Sequence, residues 1–219
     1  MSSQFLYYFA AGVIPVLLAI TLHEAAHGWV AYRLGDNTAK RLGRITMNPI
    51  KHIDLVGTII VPIAMALLTP FLLGWAKPVP VDPRHFKAPL LDMGLVAAAG
   101  PLSNLIMALF WAAFIAVASS MMQASPELGF LYTMGTIGVL INVLLIVINI
   151  MPIPPLDGGR VVAGILPPSI AIHYMRIEPY GMFIIIALLA SGILGKILLP
   201  QIQQFSALIG YLFGIQIRL

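Results

Sequence analysis

FLYYFAAGVIPVLLAITLHEAAH, Phe5 to His27, is an apolar run that passes without a charged residue into His23-Glu24-Ala25-Ala26-His27. About 20 consecutive apolar residues are enough to cross the hydrocarbon of a bilayer. A metal-ligand pattern is therefore expected inside a membrane helix. Residues four apart on a helix lie about 40° apart around its axis and one turn apart along it, so both imidazoles can reach one cation. Glu24 falls on the neighbouring part of that face, where its carboxylate can take a proton from a water held by the cation.

Composition outside this stretch agrees. Of 219 residues 60% are hydrophobic and only 9% charged, with a mean hydropathy of +0.97, whereas about a quarter of a soluble domain is charged. There is room for one helical bundle. No repeat or long hydrophilic stretch marks a second globular unit, so residues 1–219 read as one integral membrane domain, with a core at 5–160 and C-terminal helices at 179–217. The absence of cysteine excludes disulfides, iron–sulfur clusters and thiol catalysis. The net charge of +4 comes from basic residues in a few loops, which suits an anionic membrane face and gives a nucleic-acid partner no support. No basic residue precedes the first apolar run, so a cleaved signal peptide is not expected.

Apolar windows predict spans at 5–31, 55–73, 93–119, 130–151 and 179–199, with a shorter stretch at 202–217 that either spans at a tilt or lies along the interface. Arg33, Lys40, Arg41, Arg44 and Lys51 make one basic loop, and Lys77, Arg84 and Lys87 another; Ser120 to Gly129 holds only the acid Glu127. Both basic loops read as cytoplasmic and the acidic one as outside. The 55–73 segment then has to enter and leave on one face, and Pro62 with Thr69-Pro70 suits a re-entrant element. The competing reading is an ordinary span kinked by its prolines.

A second constellation follows the fourth span: Asn149-Ile150-Met151-Pro152-Ile153-Pro154-Pro155-Leu156-Asp157-Gly158-Gly159-Arg160. The prolines should end the helix and hold the chain extended, and the paired glycines allow a tight turn just past the carboxylate. An ionisable group at membrane depth is costly and is a functional candidate by default. Two histidines and one carboxylate are a common protein set for zinc with an open position. His23, His27 and Asp157 supply it, Glu24 supplies a general base, and hydrolysis by an activated water is the chemistry implied. If His27 ends a span running inward, Asp157 has to end another one, or about 30 Å of bilayer separates them. That depth argument favours re-entry at 55–73.

In these two motifs the sequence resembles the site-2 protease family, intramembrane zinc metalloproteases that pair His-Glu-x-x-His with Asn-x-x-Pro-x-Pro-x-x-Asp-Gly. Gly100-Pro101-Leu102-Ser103-Asn104 is similar to the family's Gly-x-x-x-Asn element. The resemblance covers about Ala11 to Arg160, in a minimal form without a PDZ insertion or CBS tail. It implies one zinc ion per chain on His23, His27 and Asp157, with Glu24 as catalytic acid and base. It further implies that Asn149 meets substrate backbone or the developing oxyanion. The expected fold is an all-α, polytopic transmembrane bundle with a re-entrant segment and a short extended edge strand. The expected activity is cleavage of transmembrane segments in single-span substrate proteins, in a cell membrane, with the site towards the cytoplasm.

Gly74-Trp75-Ala76-Lys77-Pro78-Val79-Pro80-Val81 reads as that edge strand. Alternating prolines keep it out of a sheet interior. Its Val79 and Val81 either clamp an unwound substrate by strand addition or belong to a plain interfacial loop. Asn104 reads equally as a substrate contact and as polar glue between helices, while Ser103 and Asn142 read as glue. His52, Asp54, His85 and His173 lack metal spacing and read as interfacial polar residues. Arg160 reads as a partner for lipid phosphate or a helix carbonyl, and Trp75, Tyr174 and Tyr180 as interfacial anchors. Two rivals stand beside the hydrolase: a metal transporter using the same ligands for transit, which leaves Glu24 unexplained, and a silent relative acting as a membrane binding module.

Overall fold

The computed structural model describes residues 3–61, 74, 76–122 and 128–217. Three helices among them are long and apolar enough to cross a membrane: α1 (Ser3–Arg33), α3 (Pro89–Met122) and α4 (Gly129–Asn149). A short helix α2 (Thr38–Arg41) follows α1, and α5 (Asp157–Ile165), α6 (Pro168–Met175), α7 (Glu178–Ala190) and α8 (Ile193–Phe213) follow α4. In lipid a spanning backbone has to satisfy its own hydrogen bonds, which is why runs of this composition become helices. Pro15 in α1 and Pro101 in α3 are carried inside these long helices.

Side-chain contacts set the helix directions. Tyr7 lies 3.2 Å from Thr133 through their hydroxyls and packs its ring on Phe130, so the first turns of α1 and α4 are neighbours. His23 meets Asn104 and His27 meets Val96, so α3 runs antiparallel to α1. Asn104 in turn meets Asn142 of α4. The helices α1 and α4 therefore descend together and α3 returns. Their common core holds Ala108, Trp111, Ile115, Val139 and Val143. Gly138 is required there, because a Cβ would run into the Trp111 ring, as close helix packing in membranes selects.

Residues 34–88 start and finish at one end of this bundle. They include a 3-10 turn at Pro49–His52, capped by the Asn48 side chain, and one π-helical turn at Leu55–Ile60, capped by Asp54. Lys77 N–H donates to His52 C=O at 2.9 Å. The chain between 52 and 77 thus returns to its starting point, which excludes a single crossing. Pro62, Thr69, Pro70 and Trp75, on which the expectation of re-entry and an anchor rested, lie outside the described residues.

Residues 76–82 carry no regular secondary structure, and among the described residues no strand forms. The expected edge strand is corrected to an irregular strap held by side chains, since among the described residues no neighbouring strand makes a ladder with it. The expected span at 179–199 is corrected too: Ser191 and Gly192, the latter at φ +72°, interrupt it. Gly192 opens α8, which continues through the final apolar stretch. Tyr132 of α4 donates to Gln216 C=O at 3.0 Å, so the end of α8 lies beside the start of α4. Leu194, Leu198, Ile202 and Ile209 of α8 belong to the bundle core, so this helix packs along the bundle.

Candidate metal centre

Asp157 opens α5, at a helix N-terminus where the peptide dipoles favour a carboxylate. The loop before it is clamped from outside: Tyr174 Oη donates to Pro152 C=O at 2.8 Å, and Gly181 of α7 sits where a Cβ would strike the Pro154 carbonyl. Gly158 and Gly159 are corrected from turn formers to members of the first turn of α5. Side chains there would collide with Ile150, Met151 and Pro154 backbone, so their smallness lets the loop fold onto the helix.

This brings the three expected ligands together. His23 Nε2 and His27 Nε2 are 3.1 Å apart, and Asp157 Oδ2 is 3.2 Å from the first and 3.4 Å from the second. Zinc with ligands at about 2.0–2.1 Å in a tetrahedron separates donor atoms by about 3.3 Å. Protonation follows from the partners. His27 Nδ1 is 2.7 Å from the Val96 carbonyl, which can only accept. His23 Nδ1 is 2.6 Å from Asn104 Oδ1, and that amide is oriented by its Nδ2, which donates to Ala19 C=O at 3.2 Å and Asn142 Oδ1 at 2.8 Å. Both Nδ1 atoms therefore carry hydrogen. In the neutral rings both Nε2 lone pairs then converge on Asp157 Oδ2, a buried oxygen with no hydrogen-bond donor. Three acceptors at contact distance with no proton between them fit a bound cation.

The remaining candidates are distributed as follows. Glu24 Oε2 accepts the Val79 N–H at 2.8 Å. Asn149 Nδ2 donates to Leu145 C=O of its own helix at 3.0 Å. Asn104 is fully buried with both ends of its amide engaged, so it supports His23. Asn142 joins this network and donates to Gly138 C=O. Ser103 is corrected: its hydroxyl donates to Gly100 C=O of its own helix and glues nothing to a neighbour. Val79 is buried, and Val81 packs near Ala31, Phe86 and Val96.

His52, Asp54, His85 and His173 stay outside the centre. His52 is buried and its Nε2 meets Thr46 C=O; Asp54 caps a turn; His173 meets Ser169 C=O. Arg160 pairs with Glu178 at 2.9 Å, which corrects the lipid-phosphate reading and ties α5 to α7. Sequence reasoning missed Asp36. Its fully buried carboxylate accepts from Thr38 N–H and Oγ1 and from Asp82 N–H at 2.7 Å, and lies 3.2 Å from His85 Nδ1. Burial pushes that carboxyl up, yet these hydrogen bonds and His85 hold it below its usual 3.8. Arg44 Nη2 donates to Lys77 C=O at 2.7 Å, so Asp36 and Arg44 fix the two ends of the strap. Gly100 was read only as part of a motif, but a Cβ there would lie 2.5 Å from both His23 Cε1 and His27 Nε2.

Membrane-length helices around two imidazoles, a carboxylate and a neighbouring glutamate define a membrane protein of the metalloprotease class. A Bacillus subtilis protein named "Putative zinc metalloprotease YwhC" is 37% identical over 193 residues, which span 87% of this chain and 85% of that protein. A Mycolicibacterium smegmatis protein named "Putative zinc metalloprotease Rip2" is 27% identical over 188 residues, 82% of this chain and 66% of that protein. The chain matches no protein-family model and no solved structure. On the strength of the first similarity, the chain belongs to the site-2 protease-like family of zinc metalloproteases.

Proposed function

We propose that this chain is an intramembrane zinc endopeptidase that hydrolyses peptide bonds within transmembrane segments of single-span proteins. The observation that carries the reading is the convergence of two Nε2 atoms and a carboxylate oxygen without a hydrogen-bond partner, with Glu24 one residue from the first histidine. His23, His27 and Asp157 would hold one zinc ion. Bound zinc supplies Lewis acidity that makes a water acidic near neutral pH. Glu24 would accept a proton at its carboxylate and hand it to the leaving amine, and no covalent enzyme intermediate is needed. Asn149, at the end of α4, turns its amide from Leu145 towards substrate backbone or the developing oxyanion. Val79 and Val81 hold an unwound substrate segment by strand addition.

The basic residues Arg33, Lys40, Arg41, Arg44, Lys51, Lys77, Arg84 and Lys87 all belong to segments flanking the end where α1 stops and α3 starts. His27 lies six residues, about 9 Å, from that end of α1. The positive-inside rule therefore makes that end cytoplasmic in a cell membrane and lets water reach the centre from the cytoplasm.

The test is purified protein with a fluorogenic transmembrane substrate. Zinc-loaded wild type should cleave, chelation should stop cleavage, and Glu24→Gln should abolish it while retaining zinc. Chelator-sensitive metal flux without any cleavage would establish the transporter instead.

A further inference from the structure

Between 77 and 81 the strap carries amide hydrogens only at its odd-numbered residues. In an extended chain the N–H and C=O of alternate residues face the same side. Pro78 and Pro80 have no N–H, so Lys77, Val79 and Val81 hold every amide hydrogen between 77 and 81. Lys77 donates to His52 C=O and Val79 to Glu24 Oε2, so two of these three amide hydrogens are already engaged. A strand that pairs through the Val79 N–H has to displace Glu24 from it.

Space on that side is closed. A Cβ at Gly28 would lie 3.0 Å from Val79 Cγ1, 3.2 Å from Ile45 and 3.3 Å from Ala39, so the Val79 side chain is seated on α1. Paired strands need about 4.8 Å between backbones. Arg44 and Asp36 pin the strap at either side of this contact. The bond from the Val79 N–H fixes where the Glu24 carboxylate points while the strap is closed.

We propose that the Val79 N–H is a latch on the general base: it holds Glu24 in the closed form, and it passes to a backbone carbonyl when an unwound substrate segment adds along 77–81, so that pairing itself uncovers Glu24. The inference rests on the protease reading above and extends it. An intact helix keeps its carbonyls bonded within itself and offers none to Val79. Only a segment that has already opened releases the base, and the latch thus selects for substrates that unwind.

The chain has no cysteine, so a Gly28→Cys, Val79→Cys pair can tie the strap to α1 in the zinc-loaded protein in phospholipid nanodiscs. Oxidation should cut cleavage of a fluorogenic transmembrane peptide more than about tenfold, reductant should restore it, and zinc content should not change. Equal rates before and after oxidation would mean that the closed contact is itself productive, and would overturn the latch. A zinc-loaded wild type that cleaves nothing would bring down the protease reading, and the latch with it. If the pair does not fold or cross-link, Val79→Pro decides, because it removes the N–H. With the latch gone its preference, in kcat/KM, for a peptide with a helix-breaking segment over the same peptide without one should fall at least about threefold below that of Val79→Ala, with zinc retained in both. An equal preference in the two variants would refute the proposal.

Discussion

Which ring nitrogen carries the hydrogen decides whether a histidine can bind metal, and here two acceptors make that decision. Val96 C=O and Asn104 Oδ1 each face an Nδ1 and leave Nε2 bare. Asn104→Ala removes the partner of His23, and outer-shell losses of this kind cost about 10–100-fold in metal affinity. That fall should appear in competition with a chromophoric chelator, with helical circular dichroism unchanged. Gly100→Ala should do more. Its new methyl would sit 2.5 Å from atoms of both imidazoles, so zinc content should drop to background while the helices persist; full zinc occupancy would mean that α3 can withdraw from α1. The cluster itself was legible in the sequence because the His23–His27 spacing is local and because Asp157 is a rare charge in an apolar chain. The supporting Asn104 was read as glue or substrate contact, because its partner is 81 residues away and only the helix directions bring them together.

The strap and the Asp157 loop are elements without regular structure, each held by a few side chains. Asp36 anchors the far end of the strap, so Asp36→Ala should raise amide exchange at residues 79–86 by an order of magnitude or more while leaving the bundle protected. The pH dependence of this anchor has a definite sign. A carboxyl whose folded value lies below 3.8 stabilises the fold fully above that value and loses its contribution as pH falls through the folded value. Asp82, which the Arg84 guanidinium holds down at about 2, behaves alike. Strap protection, corrected for intrinsic exchange, should therefore stay flat from neutral pH to about pH 5 and fall only below about pH 4. Prolines announced an extended segment in the sequence, but nothing announced that it would be fixed by Asp36, Arg44 and Glu24, three side chains from separate places in the chain. The Asp157 loop depends on α7 in the same way. Gly181→Ala would push a methyl into the Pro154 carbonyl, so it should weaken zinc binding and lower the thermal midpoint, with no side chain of the centre changed.

At the scale of the whole molecule, one condition governs the site: α1 and α4 have to descend in the same direction. Hydropathy alone located α1, α3 and α4, and charge placed both ends of residues 34–88 on one face. The break at Ser191 and Gly192 escaped hydropathy because a single left-handed glycine interrupts a helix without changing the apolar average. Parallel descent follows from Tyr7 meeting Phe130 and Thr133 at one end and from the His23, Asn104 and Asn142 chain of contacts deeper in the bundle. The cysteine-free chain allows this to be tested directly. Leu42 and Ile150 are exposed at the end that carries the metal centre, and Met121 is exposed at the other. Single cysteines at Leu42 and Ile150 should react with an impermeant maleimide in inside-out vesicles, and one at Met121 in right-side-out vesicles. Labelling of Leu42→Cys and Ile150→Cys from opposite faces would put about 30 Å of hydrocarbon between the histidines and the loop that carries Asp157. No single cation could then join them, and the three-ligand centre would fail together with every role assigned to it.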